Sequence, residues 1–154
     1  MAGYFFDSSA TVKRYVLETG TTWVINLFRS SNQDSFYCAR ITLAEVISAF
    51  SRRLKNGNLS PNQTKKAKTR FRRIFQRKFF KIEIDAPLME KAADLAEKYA
   101  LRGYDAVQLA AAITANDARK SIGATGLIFI SADNELNKSA TAEGLAVENP
   151  NNYP

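Results

Sequence analysis

Short apolar runs alternate with helical stretches along the whole chain, and this alternation constrains the fold more than any other feature. Tyr4–Phe6, Phe36–Arg40, Phe80–Ile84, Leu127–Ser131 and Ala146–Glu148 read as strands. Between them, apolar residues recur at helical spacing. Ser9–Tyr15 and Thr21–Arg29 follow the first strand. Thr42 opens a helix with Leu43, Val46, Ile47, Phe50 and Leu54 on one face, closing near Gly57. Ser60-Pro61 starts another, with Ser as N-cap and Pro at the first helical position. Pro87–Leu101, Asp105–Arg119 and Asp133–Ala142 complete the set. Strands separated by helices pair in parallel and carry helices on both faces. The pattern predicts an α/β fold: a three-layer α/β/α sandwich around a central, mainly parallel sheet of about five strands. At 154 residues the chain is expected to form one domain spanning 1–154, without repeat or linker.

Composition narrows the chemistry. The chain has no histidine, which excludes Ser-His-Asp and Cys-His catalysis and any His-ligated zinc or iron. Its single cysteine, Cys38, excludes an intrachain disulfide and reads as a small buried hydrophobe. Acid–base or metal chemistry therefore falls mainly to carboxylates. The charge is segregated as well: Val46–Ile82 holds twelve of the 22 Lys and Arg residues and none of the 15 Asp and Glu. Such a stretch suits a phosphate backbone, whose binding is driven by counterion release. It equally suits a solvated helix face whose long side chains cover the core. Trp23, Tyr15 and Phe28 read as core aromatics, with base stacking as the other reading.

Four acids stand out by position. Asp7 follows the first strand, Glu45 lies one turn into the helix after the second, Asp105 starts the Ala-rich helix, and Asp133 follows the fourth strand. The carboxyl ends of parallel strands share one edge, and sites form in the crevice there. Asp7 and Asp133 belong on that edge and Glu45 points to it, while no strand directly precedes Asp105. Converging carboxylates raise one another's pKa values or recruit a cation. An all-oxygen site favours Mg²⁺ or Mn²⁺, which suits metal-dependent hydrolysis of a phosphodiester. Each acid also has a purely local reading. The three aspartates can cap helices, and Thr42-Leu43-Ala44-Glu45 has the form of a capping box.

At these residues the sequence resembles the PIN-domain family, in particular the VapC-type toxins of bacterial toxin–antitoxin pairs. The matching stretches are Phe6-Asp7-Ser8-Ser9-Ala10-Thr11-Val12-Lys13-Arg14-Tyr15, Ile41-Thr42-Leu43-Ala44-Glu45-Val46, Leu101-Arg102-Gly103-Tyr104-Asp105-Ala106-Val107-Gln108-Leu109-Ala110 and Phe129-Ile130-Ser131-Ala132-Asp133. The resemblance implies a Mg²⁺- or Mn²⁺-dependent endoribonuclease. Asp7, Glu45, Asp105 and Asp133 would form its acidic site, with Asp7, Asp105 and Asp133 on the metal. Ser9 would support Asp7, and Ser131 stands where the family often has Thr. Arg52, Arg53, Arg72 and Arg73 are candidates for RNA-phosphate contacts. The resemblance further implies a homodimer and a cognate antitoxin occupying the groove. A non-catalytic RNA- or antitoxin-binding module and a nuclease of RNA processing are the alternatives. The N-terminus shows no basic, apolar signal pattern, and no apolar run approaches the roughly 20 residues that span a bilayer, so a soluble cytoplasmic protein is expected.

Overall fold

The structure is a computed structural model that describes residues 1–30 and 33–154. Five strands form one sheet: β1 (Gly3–Phe6), β2 (Ser35–Ala39), β3 (Phe79–Ile82), β4 (Leu127–Ile130) and β5 (Ala146–Glu148). Their order is β3-β2-β1-β4-β5, and every neighbouring pair is parallel. The helices are α1 (Ser8–Val12), α2 (Thr21–Ser30), α3 (Thr42–Lys55), α4 (Pro61–Lys78), α5 (Ala86–Tyr99), α6 (Gly103–Ser121) and α7 (Asn134–Ala142), followed by a 3-10 turn at Pro150–Asn152.

Alternation along the strands sorts the core into two layers. Phe5 and Phe129 face α5, α6 and α7, where they meet Leu95, Leu109 and Leu136. Phe6 and Ile130 face the other way, onto α1 to α4, among Val46, Phe50, Phe71 and Phe75. This is the expected three-layer sandwich. Tyr15 packs edge-on to Phe50 and Phe71, Phe28 stacks on Phe36, and Cys38 is fully buried. These residues have the core role expected of them. Trp23 stacks on Tyr153.

Several boundaries differ from expectation. The first helix ends at Val12 rather than Tyr15, where Lys13 closes it with a bond to the Thr11 carbonyl. The helix expected over Pro87–Leu101 stops at Tyr99, since Ala100 takes a left-handed conformation (φ 51°). The helix expected to start at Asp105 starts at Gly103, so Asp105 sits inside the first turn rather than at the cap, which is Arg102. The capping box at Thr42–Glu45 does not form: the cap is Ile41, without a side-chain bond. The Thr42 hydroxyl and the Glu45 carboxylate both accept from Gln108 instead. Tertiary partners outcompete the local cap. Among the described residues, no helix is long and apolar enough to cross a membrane.

Candidate active site

Strand order reverses its direction of growth at β1 and β4, and in open parallel sheets ligands bind beyond the strand ends at such a point. Asp7 leaves β1 there, and Ser131 and Asp133 leave β4. The first turns of α3 and α6 bring Glu45 and Asp105 to the same edge. All four acids line one open cavity of about 950 Å³.

Asp7 is the most enclosed of them, with 3% of its surface exposed. As N-cap of α1 its Oδ1 accepts from the Ala10 amide at 2.8 Å. The Ser9 hydroxyl lies 2.7 Å from Oδ1 and 2.9 Å from Oδ2, and the Ser131 hydroxyl donates to Oδ2 at 2.6 Å. Both hydroxyls are themselves held. Ser9 Oγ accepts from the Ala132 amide, and Ser131 Oγ from the Asp133 amide. Burial pushes the Asp7 carboxyl up to about 6, against the three hydrogen bonds that lower it; the Glu45 charge adds to the rise.

Glu45 is half-buried. Its Oε1 accepts from Gln108 Nε2 at 2.7 Å and from the Ser8 hydroxyl at 3.0 Å. Burial holds this carboxyl above its ordinary value, Gln108 and Ser8 pull it down, and Asp105 pushes it up. Asp105 and Asp133 are tied to one cation. Arg102 Nε donates to Asp105 Oδ2 at 3.0 Å, and its second guanidinium nitrogen stands 3.7 Å from Asp133 Oδ2. The other Asp133 oxygen caps α7 through the Glu135 and Leu136 amides. Glu135 itself points to solvent, paired with Lys138.

The basic residues divide. Arg52 and Arg53 line the cavity beside Lys13 and Arg102. Arg52 donates to Ser48 Oγ, and Arg53 pairs with Glu18 at 3.0 Å. Arg72 and Arg73 are exposed on α4, away from the cavity lining. Sequence reasoning missed Ser8, Gln108 and Arg102. Gln108 carried a signal, because it is one turn on from Asp105 and is the single amide in the apolar run Ala106–Ala112. Ser8 and Arg102 carried none that local pattern could supply.

The donor set is all carboxylate oxygen, which is the chemistry a hard divalent ion requires. As the side chains stand, no three acids among the described residues are gathered closely enough to hold one. The Arg102 guanidinium pairs with two of them, Asp105 and Asp133.

The PIN domain profile matches residues 4–141. Ribonuclease VapC45 of Mycobacterium tuberculosis (strain CDC 1551 / Oshkosh) is 30% identical over 143 residues, which are 93% of this chain and 92% of that protein. The crystal structure of Mycobacterium tuberculosis VapC20, a Sarcin-Ricin loop cleaving toxin, superposes with a TM-score of 0.65 at 15% identity, covering 93% of this chain and 96% of that one. VapBC2 from Rickettsia felis, solved bound to a DNA fragment from their promoter, matches with a TM-score of 0.63 at 16% identity over 96% and 98% of the two chains. At these identities the solved structures speak for the fold.

Proposed function

This chain belongs to the PIN domain family, and from that premise we propose that it is a metal-dependent endoribonuclease, the toxin of a VapBC-type toxin–antitoxin pair. One observation carries the reading. Asp7, Glu45, Asp105 and Asp133 come from four separate elements and line a single cavity that Lys13, Arg52, Arg53 and Arg102 also line. Acids and bases so interleaved suit a polyanion held over a hard cation.

Asp7, Asp105 and Asp133 are the residues that would hold Mg²⁺ or Mn²⁺. When bound, such an ion supplies Lewis acidity toward the scissile phosphate and its attacking water. The protein's own groups do the rest. Ser9, Ser131 and the Ala10 amide fix the Asp7 carboxylate and favour its ionised form against burial. Glu45 keeps Oε2 outside the two bonds that engage Oε1, so Oε2 is the oxygen that would orient the water. Arg52 and Arg53 would hold flanking phosphates. Arg102 would release Asp105 and Asp133 as the ion enters. A cognate antitoxin and a second copy of the chain are the partners that this reading brings.

The test is cleavage of a labelled structured-RNA panel by the purified protein with Mg²⁺, with Mn²⁺ and with EDTA, beside Asp7→Asn. Cutting that needs the ion and disappears in folded Asp7→Asn is the expected result. Wild-type cleavage by that variant sinks the assignment. The non-catalytic alternative draws on a specific observation: Arg102 pairs with both Asp105 and Asp133, and no three acids among the described residues are gathered to hold an ion. Salt-sensitive RNA binding with neither cutting nor Mn²⁺ binding favours it.

A further inference from the structure

Gln108 is 2% exposed, in a helix segment whose neighbours Val107, Leu109, Ala110 and Ala111 are all buried. An apolar side chain is the natural occupant of such a place. Its Nε2 instead lies 3.0 Å from Ser8 Oγ, 2.9 Å from Thr42 Oγ1 and 2.7 Å from Glu45 Oε1. An amide nitrogen has two N–H bonds, so three acceptors crowd two donors. The shortest contact is the one to the carboxylate, as expected for a charge-assisted bond. Meanwhile the amide oxygen is buried and has no partner among the described residues. Leaving such an acceptor unpaired carries a desolvation penalty. Turning the amide over would bring Oε1 against the Glu45 carboxylate, oxygen to oxygen. The donor end is therefore committed to Glu45 at the expense of the acceptor end.

The consequence is a one-sided carboxylate. Gln108 and Ser8 both bond Glu45 Oε1, and Ser8 is in turn bonded by Gln108. Among the described residues Oε2 takes no bond. The clamp joins three elements, since Ser8 begins α1, Thr42 and Glu45 open α3, and Gln108 lies one turn beyond Asp105 in α6.

We propose that Gln108 is a positioning residue of the active site, whose amide fixes which Glu45 oxygen faces the cavity and holds it there. The inference rests on the ribonuclease reading for its catalytic consequence, though not for its geometry. Gln108, at 2% exposure, acts through Glu45.

The experiment compares Gln108→Met, which keeps the length and removes the donor, in the wild-type and Glu45→Gln backgrounds. Cleavage of the labelled RNA panel is read as kcat and KM separately. The expected result is a fall in kcat of about 10- to 100-fold with KM unchanged, and no further fall in the Glu45→Gln background. Wild-type kcat in folded Gln108→Met, or the same loss in both backgrounds, overturns the proposal. Gln108→Glu keeps the shape and puts an oxygen in place of the donor; it serves the same test if the methionine variant does not fold. If the wild-type protein cuts none of the RNAs, the ribonuclease reading fails by itself. A crystal structure of the variant then decides the positioning claim. A Glu45 carboxylate displaced by about 1 Å or spread over rotamers upholds it, and one in the wild-type position refutes it.

Discussion

The Ser131 hydroxyl donates to Asp7 Oδ2 across 2.6 Å, joining residues 124 positions apart. It closes the ends of two adjacent strands at the point where the sheet changes direction of growth. Because Ser131 Oγ also accepts from the Asp133 amide, one hydroxyl links the placement of two of the candidate acids.

Removing that donor destabilises the ionised form of Asp7. Ser131→Ala should raise the Asp7 pKa beyond about 6, and move the acid limb of the cleavage pH profile upward by about one pH unit. Ser131→Thr keeps the hydroxyl and should keep the wild-type profile. Profiles of kcat/KM for the three proteins check this, and an unmoved acid limb in Ser131→Ala refutes it.

Asp7 also makes a stability prediction. Its folded pKa of about 6 lies above the ordinary 3.8. Between those values the unfolded carboxyl has lost its proton while the folded one keeps it, so stability falls as pH rises through the window and levels off above it. The loss is on the order of 3 kcal/mol. Asp7→Asn removes it, and the Ser9 and Ser131 hydroxyls can turn to accept from the new amide. In EDTA the variant should melt above the wild type at about pH 7.5 and converge with it at or below about pH 4. Thermal melts by circular dichroism decide, and a wild type that gains stability across the window contradicts the burial argument.

Arg102 is 82% exposed, and its ion pairs to Asp105 and Asp133 are worth little to the fold. Its effect should appear in ion binding. Arg102→Gln frees both carboxylates, so Mn²⁺ affinity should rise by about twofold to fivefold while the melting temperature stays nearly constant. Electron paramagnetic resonance titration of free Mn²⁺ measures it. Unchanged or weaker Mn²⁺ binding would mean that the guanidinium and the ion do not share a place.

Arg52 lines the cavity and Arg72 does not. If RNA enters over the acids, Arg52→Gln should reduce the slope of log Kd against log salt by about 1. Arg72→Gln should change that slope only if the strand continues across α4. Binding of the wild type and the two variants to labelled RNA in EDTA at several salt concentrations separates the two. A larger effect at Arg72 relocates the path to the basic helix.

The chain's local patterns carried the fold a long way. Strand–helix alternation is enough for parallel pairing and two helical layers, because a short apolar strand between helices has no other way to cover both its faces. Asp7 and Asp133 were readable as strand-end acids, since an N-cap aspartate is chosen by amides two or three residues away, at Ala10 and at Glu135 and Leu136. Patterns of that reach failed at Thr42 and Glu45. Their capping box is correct by spacing, yet Gln108, 66 and 63 residues further on, takes both side chains. Nothing within four residues of Glu45 announces Gln108 or Ser8, and nothing beside Arg102 announces Asp133. Those contacts exist because the sheet brings the starts of α1, α3 and α6 to one edge. By itself the sequence determined which elements form and which acids stand at their ends. The tertiary structure decided the long-range partners, Ser131 on Asp7 and Ser8 and Gln108 on Glu45, because only packing at the sheet edge brings those donors within reach of the carboxylates.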